Sequence, residues 1–228
     1  MAKLYVVPTP IGNLEDITIR AIKTLESVDI ILCEDTRRSK KLLNHIGVKS
    51  NLKSHHKFNE HKELDKIVDK IVLGNKVALI TDAGTPGICD PGFLIIRTCI
   101  INKIKVECLP GPTALIPGIV LSGLPMEKFI FEGFLPSKKG RSSKLKVLSS
   151  ETKTMIFYES PLKLIKTLND FQSTFGSERK ISVSRELTKI YEETKRGTIK
   201  EILEIFENKK PKGEFVIVVN GRKNWMGS

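Results

Sequence analysis

Cysteine is scarce and scattered: Cys33, Cys89, Cys99 and Cys108 form no C-x-x-C pair, and no histidine stands near them at metal-ligand spacing. That excludes a zinc ribbon or a disulfide scaffold, and reduced thiols in a cytoplasmic protein without a metal are expected. Histidine is equally rare. His55, His56 and His61 share one polar stretch, but their spacing does not set two ligands one helical turn apart, so a loop facing substrate or phosphate is the better reading. Long apolar runs are also missing. The most apolar region, residues 114–124, is cut by Pro117, Gly118 and Gly123, and the apolar part of the amino terminus is too short for a signal sequence; neither a membrane span nor export is expected. No G-x-G-x-x-G follows the first apolar run, and no RNP-like aromatic motif appears. Acidic residues fall short of basic ones, 26 against 38, for a net charge of +12. The excess fits a polyanionic partner such as RNA, or a membrane surface, although abundant Lys from a biased coding composition would leave the same balance.

What the chain does have is concentrated in residues 77–92. Four apolar residues, Val77, Ala78, Leu79 and Ile80, follow the turn pair Gly74-Asn75 and suit a strand buried on both faces of a parallel sheet. Gly84, Pro86, Gly87, Pro91 and Gly92 then break the chain, too densely for helix or strand. A rigid loop of bare backbone is expected at the strand's carboxyl end, the edge of an open α/β sheet at which ligands sit. Glycines there let peptide groups approach a small polar molecule closely, and prolines limit the entropy lost on ordering.

In the first half, apolar runs near residues 4–7, 29–33 and 104–109 alternate with helical stripes such as Ile17, Ala21, Leu25, Val28 and Leu64, Ile67, Val68, Ile71. Asn13 or Asp16 is available to cap the first helix, and Gly47 stops a short one carrying Leu42, Leu43 and Ile46. This alternation predicts a mostly parallel sheet covered on both faces. The character shifts after Leu124-Pro125, where β-prone aromatics and a basic segment at 136–146 follow. The fold class expected is α/β with two α/β domains, an amino-terminal one at 1–120 and a carboxyl-terminal one at 121–228 with a mixed sheet. Glu34 and Asp35, where the second strand gives way to helix, read equally as a solvated turn or as a site.

The motifs Val7-Pro-Thr-Pro-Ile-Gly-Asn-Leu14, Leu32-Cys-Glu-Asp-Thr-Arg37, Asp82-Ala-Gly-Thr-Pro-Gly-Ile-Cys-Asp-Pro-Gly92, Pro110-Gly-Pro-Thr-Ala114, Phe131-Glu-Gly-Phe-Leu-Pro136, Tyr158-Glu-Ser-Pro161, Arg185-Glu-Leu-Thr-Lys189 and Lys212-Gly-Glu214 follow one another in order. Together they resemble the tetrapyrrole methylase superfamily, and within it the branch that methylates ribosomal RNA. The resemblance implies a class III methyltransferase, a homodimer, with S-adenosylmethionine bound in the cleft between two α/β domains. Its implied activity is 2′-O-methylation of a cytidine ribose in the decoding region of 16S rRNA, in the free RNA or the small ribosomal subunit. Pro8 and Pro10 stand where relatives acting on tetrapyrroles have a glycine-rich first loop, which favours the RNA branch. Carried over by position, cofactor contacts fall on Pro10, Ala83, Gly84, Thr85, Pro86, Ile88, Thr113, Ala114, Tyr158, Glu186 and Glu214.

Methyl transfer from a sulfonium is an in-line displacement, so positioning dominates and a carboxylate or lysine can assist by taking the hydroxyl proton. Strand-end candidates are Glu34, Asp35, Asp82, Glu159, Glu186 and Lys189, with Glu186 and Lys189 favoured as catalytic because charge concentrates there, although for any single one of the six a structural ion pair is the stronger reading. Arg37, Arg38, Lys138, Lys139, Arg141 and Lys144 are the candidates for RNA phosphate contacts. Two other readings stay open, a small-molecule tetrapyrrole-type methylase and a non-catalytic RNA-binding assembly factor.

Overall fold

A computed structural model describes residues 2–56, 59–207 and 209–222, the side chain of Lys62 excepted. The chain forms two compact units, Met1–Thr113 and Ala114–Ser228.

In the first unit the strands β1 (Lys3–Val6), β2 (Ile30–Cys33), β3 (Asn51–Ser54), β4 (Lys76–Leu79) and β5 (Lys105–Cys108) alternate with helices α1 (Ile19–Ser27), α2 (Thr36–His45), α3 (Glu60–Val72) and α4 (Phe93–Ile101). The sheet order is β3-β2-β4-β1-β5 and every pairing is parallel. Strand residues alternate between two cores, as a twofold repeat of side chains requires. Leu4, Leu32 and Leu79 pack with Ile67, Ile71 and Ile95 on one face. Val7, Ile31, Ala78 and Ile80 pack with Ala21, Leu25 and Leu43 on the other. The chain leaves β2 toward β3 but leaves β4 toward β5, on the opposite side. Their adjacent carboxyl ends therefore flank the crevice at which open α/β sheets bind ligands.

Local capping differs from the sequence reading in two places. Asn13 caps a short 3-10 turn, Leu14–Asp16, while α1 itself starts at Thr18, whose hydroxyl accepts the Ala21 N–H at 3.0 Å. α2 starts earlier than its apolar residues indicate, because Asp35 accepts the Arg37 N–H at 2.8 Å and satisfies a donor the helix leaves open.

The second unit opens with α5 (Leu115–Ser122) and continues through β6 (Phe129–Phe134), α6 (Arg141–Leu148), β7 (Thr154–Glu159), α7 (Leu164–Phe175), β8 (Lys180–Arg185), β9 (Glu193–Thr198), α8 (Ile199–Glu207) and β10 (Phe215–Val219). Its sheet runs β6-β7-β10-β8-β9, with β6 and β7 parallel and the remaining pairs antiparallel. α6, α7 and α8 bury Leu145, Phe171 and Leu203 against Phe157, Val183 and Ile217. α5 meets β10 on Val216, so closely that a Cβ added to Gly118 would lie 2.5 Å from Val216 Cγ1. That packing puts α5 in the second unit and sets the division at Thr113/Ala114, ahead of the change in composition near residue 120. Of the two margins, β9 carries Glu193, Lys195 and Arg196, and β6 is interrupted by a bulge between Phe131 and Gly133.

Candidate functional site

Three loops leave neighbouring strands at the carboxyl edge of the first sheet, and the structure ties them together. Thr9 and Gly84 exchange both backbone hydrogen bonds at 2.9 Å, joining the loop after β1 to the one after β4. The Thr9 hydroxyl also donates to the Thr81 carbonyl at 2.9 Å. Gly84 adopts φ +85, a left-handed backbone that glycine tolerates without strain. Thr85 Oγ1 donates to the Pro112 carbonyl at 3.1 Å, which brings the central loop against the turn after β5, one residue from Thr113. Gly111 closes that turn onto the first loop, because a Cβ there would fall 2.7 Å from Pro8 Cβ.

Pro10, Ala83, Gly84, Thr85, Pro86, Ile88 and Thr113 are thus gathered at one edge. Pro10, Gly84 and Pro86 are buried in the joint, whereas Ala83 and Ile88 are exposed. Ala114 caps α5 at the start of the second unit. Nothing in the sequence singled out Thr9 or Thr81, since ties spanning some seventy positions leave no local signal.

Beside these loops, in the β2/β4 crevice, lie Glu34, Asp35 and Asp82. The Asp35 N–H donates to Asp82 Oδ1 at 3.2 Å, and Arg38 Nη1 approaches Asp82 Oδ2 at 3.2 Å. Asp35 is held well below the ordinary carboxylate range by the Arg37 guanidinium and N–H. Glu34 moves the other way: burial pushes its pKa up, and the neighbouring Asp82 adds to the rise. On the next strand, the His55 N–H donates to the Cys33 carbonyl at 2.8 Å and its imidazole is buried. Burial holds that imidazole below its usual pKa. The substrate-facing loop expected over residues 54–61 includes Lys57 and Phe58, which lie outside the described residues.

In the second unit, Tyr158, Glu186 and Glu214 lie toward one edge of the sheet, where β7 and β8 end and β10 begins. The Tyr158 ring packs edge-on against Phe131 and Phe134, at centroid distances of 4.9 and 5.8 Å. Glu186 and Glu214 are bonded twice, Glu186 N–H to the Glu214 carbonyl at 2.9 Å and Glu214 N–H to Glu186 Oε1 at 2.9 Å. Lys189 Nζ bridges both carboxylates, at 2.9 and 2.8 Å. Burial alone would raise Glu186, but the Lys189 ammonium and the Glu214 N–H outweigh it and the net shift is downward. For Lys189, burial is likewise outweighed by its two carboxylates, and its pKa rises. Glu186 and Thr188 both have positive φ, +50 and +67, a strained backbone of the kind that gathers at functional sites.

The basic candidates separate. Lys138 and Lys139 are exposed, Arg37 and Arg38 present side chains 87% and 71% accessible, and Lys144 pairs with Glu132 at 2.6 Å. Arg141 corrects the sequence reading. It is 6% exposed and spends its guanidinium on Asp170, the Thr167 hydroxyl and the Pro136 carbonyl, so it offers no donor fork to a phosphate.

Comparison with known proteins agrees with this architecture. Residues 3–203 match the family model described as Tetrapyrrole (Corrin/Porphyrin) Methylases. The chain is 46% identical to ribosomal RNA small subunit methyltransferase I of Thermotoga maritima, over 98% of this chain and 100% of that protein. It is 48% identical to the protein of the same name from Hydrogenobaculum, over 96% and 95%. Among solved structures, uroporphyrin-III-C-methyltransferase from Thermus thermophilus superposes with a TM-score of 0.66 at 17% identity, covering 97% of this chain and 95% of that one, a likeness of fold alone. Methyltransferases of this family use S-adenosylmethionine. With both units of the fold and nearly the full length matched, the chain belongs to the tetrapyrrole methylase family.

Proposed function

We propose that the protein is an S-adenosylmethionine-dependent methyltransferase acting on the 2′-hydroxyl of a cytidine ribose in the decoding region of 16S rRNA, inside the cell and as a homodimer. The observation that carries the reading is the joint of three loops at the carboxyl edge of the first sheet, fastened by the Thr9–Gly84 and Thr85–Pro112 bonds. It is supported by the rRNA methyltransferase names of relatives near 46% identity.

The residues present fit the donor. Among the described residues the Ala83 N–H meets no acceptor, and Ala83 and the apolar Ile88 of the same loop are both exposed. A nucleoside ligand asks for that combination of peptide donor and apolar wall. Ala83, Gly84, Thr85, Pro86, Ile88, Thr113 and Pro10 would hold it on the first unit, and Ala114, Tyr158, Glu186 and Glu214 on the second. When bound, S-adenosylmethionine supplies an electrophilic methyl group on a sulfonium. The protein's residues then orient the substrate oxygen for in-line attack, a task worth several orders of magnitude in rate. Glu186 and Lys189, the pair favoured as catalytic from the sequence, are bonded to each other and to Glu214.

Arg37, Arg38, Lys138, Lys139 and Lys144 would contact RNA phosphates, positioning the strand without reading its sequence. Exposed Val72, Leu73, Ile100 and Ile101 at the carboxyl ends of α3 and α4 provide apolar surface suited to a second copy.

The test offers radiolabelled donor with 16S rRNA, small subunits and uroporphyrinogen in separate reactions, and maps the labelled nucleotide by mass. Label on a cytidine ribose supports the reading. Label on uroporphyrinogen alone would establish the small-molecule alternative, and calorimetry without donor binding the non-catalytic one.

A further inference from the structure

Six strand-end groups compete for the role of proton acceptor, and the structure separates them by what their polar atoms already do. Asp35 accepts from Arg37, Asp82 from Arg38 and the Asp35 N–H, and Glu159 from the Ser160 N–H and the Thr167 hydroxyl. Glu186 and Lys189 are joined to each other and to Glu214. Among the described residues, Glu34 alone of the six has no hydrogen bond or ion pair on its side chain, although it is half-buried.

A second observation points to the same place. Cys33 is paired with Ser54 and Leu32 with Leu79, so continuing the parallel register sets Glu34 beside His55 on one side and Thr81 on the other. These are the next positions along three neighbouring strands, which lie about 4.8 Å apart. His55 is 1% exposed with neither ring nitrogen bonded, and Thr81 is 4% exposed with its hydroxyl unpartnered. Buried polar groups are nearly always satisfied, so two unspent neighbours beside an unspent carboxylate mark a hydrogen-bond system completed by something bound.

Resting on the functional reading above, we propose that Glu34 is the catalytic proton acceptor for the substrate hydroxyl, and that His55 is a positioning residue that orients its carboxylate. As the ribose oxygen attacks, its O–H bond breaks and the proton passes to a Glu34 oxygen. The freed electron pair forms the O–C bond to the methyl carbon, and the C–S pair remains on sulfur as a neutral thioether. Asp82 and Asp35 are the acidic neighbours of Glu34, and His56 and Arg38 the basic ones; burial, joined by Asp82, outweighs His56 and Arg38 and raises its pKa.

The experiment uses the full chain, 16S rRNA or small subunits, and labelled donor. Single-turnover rates are taken against pH for the wild type and E34Q, with donor and RNA affinities measured separately. The Glu34 carboxyl is titrated by 13C NMR in the ligand-free wild type and in H55Q and H55L. The inference expects E34Q to bind donor and RNA within twofold of the wild type, to lose about 100-fold or more in rate, and to lose the acid limb of the profile. It also expects the Glu34 midpoint to coincide with the wild-type limb, to shift in H55L and to return toward wild type in H55Q. An E34Q rate within fivefold of an active wild type overturns the inference alone, as does a rate loss that follows lost RNA or donor affinity, or a midpoint indifferent to His55. A wild type that transfers no methyl group to RNA overturns the functional reading and this inference together.

Discussion

Arg141 and Asp170, twenty-nine positions apart on α6 and α7, meet at 2.7 Å between Nε and Oδ2. The same guanidinium reaches the Thr167 hydroxyl at 2.7 Å, and that hydroxyl donates in turn to Glu159 Oε2 at 2.6 Å. A positive charge in a basic, turn-rich segment is thereby a brace between helices.

Charge reversal in this segment should therefore split into two phenotypes. R141E leaves Asp170 facing a like charge and Thr167 without its donor, and should lower unfolding stability by on the order of 3 kcal/mol, discounted for the partial exposure of Asp170. K138E/K139E should leave the melting temperature unchanged, weaken RNA binding, and reduce the salt slope of log K by about 2. Urea denaturation and a salt titration read the two; a K138E/K139E variant with wild-type salt dependence would remove those lysines from the interface.

G111A tests the loop joint. The added Cβ would sit 2.7 Å from Pro8 Cβ, so the first loop and the turn after β5 must part. Donor affinity measured by calorimetry should fall at least tenfold while the secondary structure content stays constant. Undiminished affinity would detach that joint from donor binding.

G118A tests the seat of α5 on β10 in the same way. Its methyl would meet Val216 Cγ1 at 2.5 Å, within the buried contact that makes α5 part of the second unit. Overpacking of this kind costs about 1–3 kcal/mol. Chemical denaturation of G118A should show that loss, and a neutral effect would mean α5 yields freely.

Glu34 and Glu186 should pull stability in opposite directions with pH. Glu34 is raised by burial and Asp82, so between the ordinary carboxylate range and its raised value the folded chain binds more protons than the unfolded one. Stability falls as pH rises through that window. Glu186 is lowered, so its contribution is present above the ordinary range and is lost as pH falls through its lowered value. At pH 7, E34Q should be more stable than the wild type and E186Q less stable. Urea midpoints from pH 3.5 to 8 decide it, and the same sign for both variants at neutral pH would refute the assignment.

The fold was legible wherever burial writes a pattern. Val77, Ala78, Leu79 and Ile80 announced β4 because a central parallel strand is apolar on both faces. β3 was not recognisable, since Asn51, Leu52, Lys53 and Ser54 form an edge strand with little buried side chain. The Gly/Pro loops announced themselves by composition, whereas the Thr9–Gly84 and Thr85–Pro112 ties that unite them depend on distant positions. Glu34 was visible as one acid among several. Which of those acids already holds a hydrogen bond is a property of three dimensions, and that alone separates it from Glu186.

The margins of the second sheet have a consequence for assembly. β9 displays Glu193, Lys195 and Arg196, so an incoming strand would have to accommodate fixed charges of both signs, and at the opposite margin the break between Phe131 and Gly133 interrupts the regular spacing of donors and acceptors. Neither border offers a straight ladder for another polypeptide to zip onto. Recruitment of strands into fibres is discouraged at both ends, leaving helix faces and loops as the surfaces through which this half of the protein can meet other molecules.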